Sequence, residues 1–123
     1  MRVRCTSVSL PQDLEPPRFA KFPGTWPVTL NAEYSVIALS QQDGLWWVTV
    51  EHHEREMPVS APLALFEVVD AAVPPSWTVH VKGDEVSLQP EELDDEFFCD
   101  DVQERRDGAL ERYRAMKARL DRK

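Results

Sequence analysis

The residues with the clearest chemical potential are acidic and lie close together near the C-terminus. The stretch EELDDEFFCDD, residues 91–101, holds seven carboxylates and no basic side chain. Carboxylates at this density could form a catalytic acid–base pair, a metal site, a solvated helix face or a surface for a basic partner. These four alternatives make different demands on the spacing and on the surroundings of the acids.

The spacing favours a solvated helix face or a partner surface over catalysis and metal binding. General acid–base catalysis needs two carboxylates in a pocket with separated pKa values, and a surface helix offers no evident pocket. The stretch also lacks the DxDxDG pattern of an EF-hand calcium loop. Because like charges at this density repel each other, a basic partner would relieve the repulsion. The candidate partner contacts are Asp94, Asp95, Glu96, Asp100 and Asp101.

The histidines and cysteines indicate a site less strongly. His52 and His53 are neighbours in a predicted strand, so their side chains point to opposite faces and do not converge on one ion. His80 stands between two valines, and a dyad with Cys5 or Cys99 stays open because sequence does not show spatial neighbours. The two cysteines form no CxxC motif, and we expect reduced, partly buried thiols. The sequence therefore predicts no metal, no cofactor and no catalytic residue.

Two adjacent tryptophans provide candidate apolar contacts. Trp46 and Trp47 lie in one predicted strand, so one should face the core and the other should face outward. An outward tryptophan is suited to anchor a partner. The alternative is that the proline-rich segment or the last helix covers it. Trp46 and Trp47 are therefore both candidate partner contacts.

Strands occupy the first two thirds of the predicted fold and must position these side chains. Alternating polar and apolar residues predict strands over 2–10, 33–40 and 45–52, a proline-broken strand over 58–70, and a hairpin of 78–81 with 85–88. Residues 11–27 hold five prolines and one glycine, which predicts an ordered loop without regular structure. This loop either carries function or covers one end of the core.

The C-terminal third is predicted to be helical. Pro90 suits the first turn of a helix, and Leu93, Phe97 and Phe98 recur at helical spacing as its buried face.

A longer second helix is predicted over 102–122. Asp101 and Glu104 fit a capping-box pattern at its start, and Gly108 indicates a bend. The sequence thus predicts one α+β domain over 1–123, mostly β over 1–89 and helical over 90–122.

Composition limits the class of partner. The chain has 123 residues, of which 42% are apolar, and its net charge is −8. Residues 84–101 hold nine acids and no base, whereas residues 102–123 hold eight bases and four acids. This charge disfavours nucleic acid as a partner, and the chain lacks an apolar run long enough for a membrane span or a secretory signal. We expect a cytoplasmic protein that is a monomer or a dimer.

The run YSVIALS…LWWVTVEH…PVSAPLALFEVVD, within residues 34–70, resembles an SH3-like barrel. The resemblance implies a small, bent antiparallel barrel, but the acidic loop and tyrosine-rich groove that bind polyproline in SH3 domains are missing. The longer layout, with LFEVVD followed by a tryptophan and an acidic PEEL segment, is similar to a set of small uncharacterised bacterial proteins. Some of these are regarded as immunity proteins of polymorphic toxin systems.

The function that these features predict is protein interaction without catalysis. The expected partner is a basic protein, such as a toxin domain that an immunity protein neutralises by covering its active site. One alternative is a small ligand-binding or enzymatic barrel with a pocket under the proline-rich loop. Another is a regulatory subunit that dimerises through the helix over 102–122.

Overall fold

The structure, a computed structural model, describes residues 1–9, 26–42, 44–52, 54–94 and 98–120. Its strands are β1 (Arg2–Cys5), β2 (Glu33–Gln42), β3 (Leu45–Glu51), β4 (Pro58–Pro62), β5 (Phe66–Asp70), β6 (Thr78–Lys82) and β7 (Glu85–Gln89). Short 3₁₀ helices span Leu63–Leu65 and Glu91–Asp94, and the α-helices are α1 (Phe98–Gln103) and α2 (Ala109–Leu120). The mixed α+β class and the two C-terminal helices are confirmed.

The sheet branches at its central strand, β2. One edge of β2 pairs with β3, which pairs in turn with β4. The other edge is shared, because residues 33–35 pair with β1 while residues 39–41 pair with β7. The outer strands β5 and β6 pair with β1 and β7 respectively, and every ladder between described strands is antiparallel. The described strands leave the sheet open, so the predicted SH3-like barrel is not confirmed.

A β-bulge in β2 directs neighbouring side chains to two different cores. Val36 pairs with Val50, but the next pair is Ala38 with Thr49, so Ile37 is an extra residue on β2. Such an insertion breaks the strict alternation of side chains and bends the strand. Val36 accordingly packs into one core cluster, whereas Ile37 packs into another.

The larger core lies between the sheet and the connecting segments that contain Trp26, Leu65 and Trp77. Its buried members are apolar side chains from the five strands β1 to β5 and their connections, and include Val3, Cys5, Trp26, Tyr34, Val48, Leu65 and Trp77. The smaller core joins Ile37 to the helices, through Phe98, Val102, Ala109, Tyr113 and Met116. The helices therefore cover only the part of the sheet around the bulge.

The predicted continuous helix over 102–122 is wrong. α1 ends at Gln103, and both Arg105 and Gly108 have positive φ, at 56° and 78°. Residues in the left-handed region end a helix, so α2 begins only at Ala109. The predicted capping box is also wrong, because Asp101 lies inside α1.

Other predicted features are distributed across this fold. Leu93 is partly buried and Phe98 fully buried, as the helical spacing predicted, whereas Phe97 lies outside the described residues. The proline-rich loop lies outside them up to residue 25. Within the described chain, none of the helices is long and apolar enough to cross a membrane.

Phe98 is fully buried between the helices and the sheet, so Phe98→Ala should lower the free energy of unfolding by about 3–5 kcal/mol. Val73→Ala, at a side chain that is 51% exposed, should change it by less than about 0.5 kcal/mol. Urea denaturation measures both values. Equal effects of the two substitutions would contradict the placement of Phe98 in this core.

Candidate functional site

A polar groove crosses the face of the sheet beside the helices. It encloses about 1160 Å³ and is open to solvent. Strands β2, β3, β4, β6 and β7 form its floor, the segment Trp26–Pro27 contributes to one side, and the 3₁₀ helix Glu91–Asp94 with α1 forms another wall. Clefts of about 370, 550 and 610 Å³ elsewhere on the described chain are smaller and draw on fewer elements.

The floor of the groove consists mainly of hydroxyl and amide side chains. Ser40 and Ser87 are direct cross-strand partners on β2 and β7. The hydroxyls of Thr49 and Ser60 lie 3.0 Å apart across β3 and β4. Thr49 alternates with Val48 and Val50, which pack into the core on the opposite face, as period-two strands require. Val59 and Val81, by contrast, line the groove themselves. The other polar residues lining the groove are Gln42, His80, Lys82, Glu85, Gln89, Asp94 and Gln103.

His80 connects the floor of the groove to its wall. Its Nε2 lies 3.0 Å from Oδ1 of Asp94 and 2.8 Å from the hydroxyl of Thr78. Gln89 donates a 2.9 Å hydrogen bond to the same carboxylate oxygen. These contacts hold the 3₁₀ helix Glu91–Asp94 against the β6–β7 hairpin. The alternation of Thr78, His80 and Lys82 with valines was the sequence signal for this polar face, but it did not reveal Asp94 as the partner.

The three predicted acidic contacts that the structure describes have different surroundings. Asp94 lines the groove and is held by His80 and Gln89. Asp100 is exposed on α1 and has no ion pair among the described residues, whereas Asp101 lies 3.4 Å from the guanidinium of Arg106. Asp95 and Glu96 lie outside the described residues.

The bases of α2 fold back onto carboxylates. Arg119 donates to both oxygens of Glu92, whose side chain is only 10% exposed. Arg114 donates to both oxygens of Glu56, at 2.7 and 2.9 Å. Lys117 donates to Glu51 at 2.6 Å. Three of the four bases of α2 are therefore paired with carboxylates from other parts of the fold.

The two adjacent tryptophans alternate as predicted. Trp47 is buried and meets Trp26 edge to face, with ring centroids 5.5 Å apart, and its Nε1–H donates to the carbonyl of Gln42. Trp46 is 39% exposed. It lies at the opposite end of β3 from Glu51, which Lys117 of α2 contacts, so it does not join the acids of the helical region.

Both cysteines are free, as predicted, and Cys99 lines the groove. Burial raises the pKa of the Cys99 thiol, and the carboxylate of Asp100 raises it further. Burial also raises the pKa of the Cys5 thiol. Both side chains therefore remain protonated at neutral pH, and a thiol is a much weaker nucleophile than a thiolate.

The histidines near the end of β3 do not contribute to the groove. His52 lines a smaller cleft of about 370 Å³ beside Glu51 and Lys117, and its Nδ1 accepts a hydrogen bond from the amide of Glu54. His53 lies outside the described residues. Among the residues that the structure describes, no group of three histidine, cysteine or acidic side chains is placed to hold a metal.

Comparisons with family models, with curated proteins and with solved structures find no match for this chain. Its function has to be inferred from the groove, its surroundings and their charges.

Glu56 provides a test of the ion pairs that hold α2. Hydrogen bonds from Arg114, and the nearby charges of Lys117 and Arg114, lower the pKa of Glu56 from 4.5 to about 2. A lowered folded-state pKa stabilises the fold above about pH 4.5, and this stabilisation disappears as the pH falls towards 2. Glu56→Gln should therefore lower the free energy of unfolding by about 1 kcal/mol at neutral pH and by little near pH 2.

Urea denaturation across this pH range checks the prediction. Glu54→Gln is the matched control, because Glu54 is exposed and has no ion pair among the described residues. A deficit for Glu56→Gln that stays constant down to pH 2 would contradict this role of Glu56.

Proposed function

We propose that this protein is a non-catalytic interaction module that receives a basic segment of a partner protein in the polar groove. Four acids make up what we call the acidic rim. Glu85 and Asp94 line the groove, whereas Glu91 and Asp100 belong to the 3₁₀ helix and α1 that form its wall. Glu91 and Asp94 also line a neighbouring cleft on the other side of that 3₁₀ helix.

The observation that carries this proposal is a difference between bases and acids: bases of α2 form ion pairs within the fold, whereas three acids near the groove do not. The bases Arg114, Lys117 and Arg119 of α2 are engaged with carboxylates. By contrast, Glu85, Glu91 and Asp100 are exposed and have no ion pair among the described residues. Lys82 is the one lysine or arginine among the groove-lining residues, against the four acids of the rim. The charge beside the groove is therefore negative on balance, and such a field steers a cationic partner into contact.

The chemistry of the groove floor suits an extended polypeptide segment. Hydroxyl and amide groups such as Ser87, Gln42 and Gln103 can donate to and accept from the backbone of a bound segment. Lysine or arginine side chains on that segment would find the acidic rim within reach, and arginine can bind a carboxylate with two hydrogen bonds. The volume of the groove accommodates several residues rather than one side chain.

The state of the thiols supports binding without covalent catalysis. Cys99 lies in the groove, but the raised pKa keeps its sulfur protonated. His80 uses its Nε2 for contacts with Asp94 and Thr78, which tie two elements together. A structural role accounts for both contacts. Neutralisation of a basic toxin domain, by covering its active site, is a biological setting that fits such a module.

A short peptide that alternates lysine with serine tests the proposal directly. Backbone NMR shifts should change for groove residues such as Ser87, Gln89 and Gln103 when this peptide is added. Reversing two rim charges, in the double variant Glu91→Lys/Asp100→Lys, should slow association about tenfold at low salt and less at high salt.

The matched control is Glu54→Lys/Asp70→Lys, which changes net charge equally away from the groove. Equal slowing by both double variants would show that net charge alone attracts the peptide. A glutamate–serine peptide that produced the same NMR changes would contradict the proposal as well.

A second candidate function is a binding site for a small polar ligand, and the position of His80 favours it. The imidazole lies in the groove with its Nε2 oriented by Asp94, which leaves Nδ1 available for another partner. A sugar, nucleoside or amino acid that binds there should raise the Tm of the native protein but not of His80→Ala. Equal shifts in both proteins, or none in either, would reject this candidate.

A further inference from the structure

The described sheet has three outer strands, β4, β5 and β6, and they are not equally protected against pairing with another chain. β4 begins and ends with proline, which cannot donate a ladder hydrogen bond. β5 carries Glu67 and Asp70, and charges discourage pairing between edges. β6, with the sequence TVHVK, has neither proline nor carboxylate and ends in a single lysine. It is the least protected of the three.

The hairpin turn fixes which backbone groups of β6 face outward. Gly83 and Asp84 form a two-residue turn with positive φ at Gly83, as a type II′ turn requires. Such a turn closes on a hydrogen-bonded pair, here Lys82 with Glu85. Because hydrogen-bonded pairs alternate along an antiparallel ladder, the N–H and C=O groups of Val79 and Val81 point away from β7.

The side chains of the same two valines are also exposed. Val79 is 64% and Val81 71% accessible, the highest values among the large apolar residues described. Val81 pairs with Val86, which in turn lies beside Gln41 and Trp46 in the same row across the sheet. A row of side chains therefore crosses the sheet from Trp46 through Gln41 and Val86 to Val81, and ends at an edge of β6 with which no described strand pairs.

We propose that β6 pairs antiparallel with β6 of a second copy of this chain, about a two-fold axis at His80. In this register Val79 and Val81 of one copy form hydrogen-bonded pairs with Val81 and Val79 of the other. His80 faces its own counterpart as a non-hydrogen-bonded pair. The alternation polar–Val–polar–Val–polar reads the same in both directions, so each face of one copy continues into the matching face of the other.

Charge complementarity favours a second copy over an unrelated strand. In the same register Lys82 of one copy lies opposite Thr78 of the other, with Cβ atoms about 5 Å apart. The hydroxyl of that Thr78 bonds His80, whose Nε2 contacts Asp94. Lys82 has no ion pair within the described residues of its own copy, and its long side chain can reach this carboxylate. The two-fold axis provides the contact twice.

The oligomeric state tests this pairing. Sedimentation from about 1 to 100 μM should show a concentration-dependent dimer. Val81→Lys, which places a charge on the paired edge, should raise the dimer dissociation constant about tenfold or more. Val68→Lys is the control at an exposed valine of β5 and should leave dimerisation unchanged. A native chain that stays monomeric, or equal effects of both substitutions, would overturn the proposal.

Cysteine cross-linking tests the register. In a Cys99→Ser background, His80→Cys should form an intermolecular disulfide on mild oxidation, because facing Cα atoms would lie about 4.5 Å apart. Thr78→Cys should not, since its counterpart lies about 13 Å away along the strand. Equal cross-linking at both positions would indicate random collision and would reject this register. Neither experiment involves a groove ligand, so both outcomes are independent of the proposed function.

Discussion

The extra residue in β2 is the constraint on which the rest of the arrangement depends. Because Ile37 is inserted between the pairs of Val36 and Ala38, two consecutive apolar side chains can serve different cores. The larger core packs side chains of β1 to β5 together, and the smaller core attaches the helices to the sheet. The helices then occupy only the region around the bulge, and the remaining polar face of the sheet becomes the floor of the groove.

Ion pairs between α2 and the rest of the fold are a second constraint, beside the bulge in β2. The sequence places an acidic block directly before a basic segment, and the fold brings α2 back across the sheet so that its bases meet Glu51, Glu56 and Glu92. These contacts gain their strength from geometry, because exposed pairs in random arrangements contribute little. Their consequence is a surface on which Glu85, Glu91 and Asp100 form no ion pair among the described residues. The acidic character of the groove region is thus a product of folding as much as of composition.

The groove and the outer edge of β6 are two features of the surface that share one strand. His80 and Lys82 of β6 line the groove together with Val81, whereas Val79 shares a cross-strand row with Leu88 of the larger core. A partner segment in the groove would contact these groove-lining side chains, whereas a second copy would pair with the outward backbone groups of Val79 and Val81, and the carboxylate of Asp94 is common to both proposals.

The sequence by itself determined the features that depend on local spacing. It predicted strands over 33–40 and 45–52, which the structure has as Glu33–Gln42 and Leu45–Glu51, the hairpin around Gly83 and the helical character of the C-terminal third. It also predicted that one of the two adjacent tryptophans faces inward and the other outward, and the structure shows that Trp47 is the buried one. Alternation and turn chemistry act over a few residues, so they can be read without tertiary structure.

Only the tertiary structure decided which distant groups meet. Asp94 with His80, Glu92 with Arg119 and Glu56 with Arg114 are contacts across long stretches of chain, and no local pattern encodes them. The break between α1 and α2, at Arg105 and Gly108, likewise overrides a sequence of good helix formers. With this break, Ala109, Tyr113 and Met116 of α2 pack against Ile37. The burial of these side chains outweighs the preference of the segment for one continuous helix.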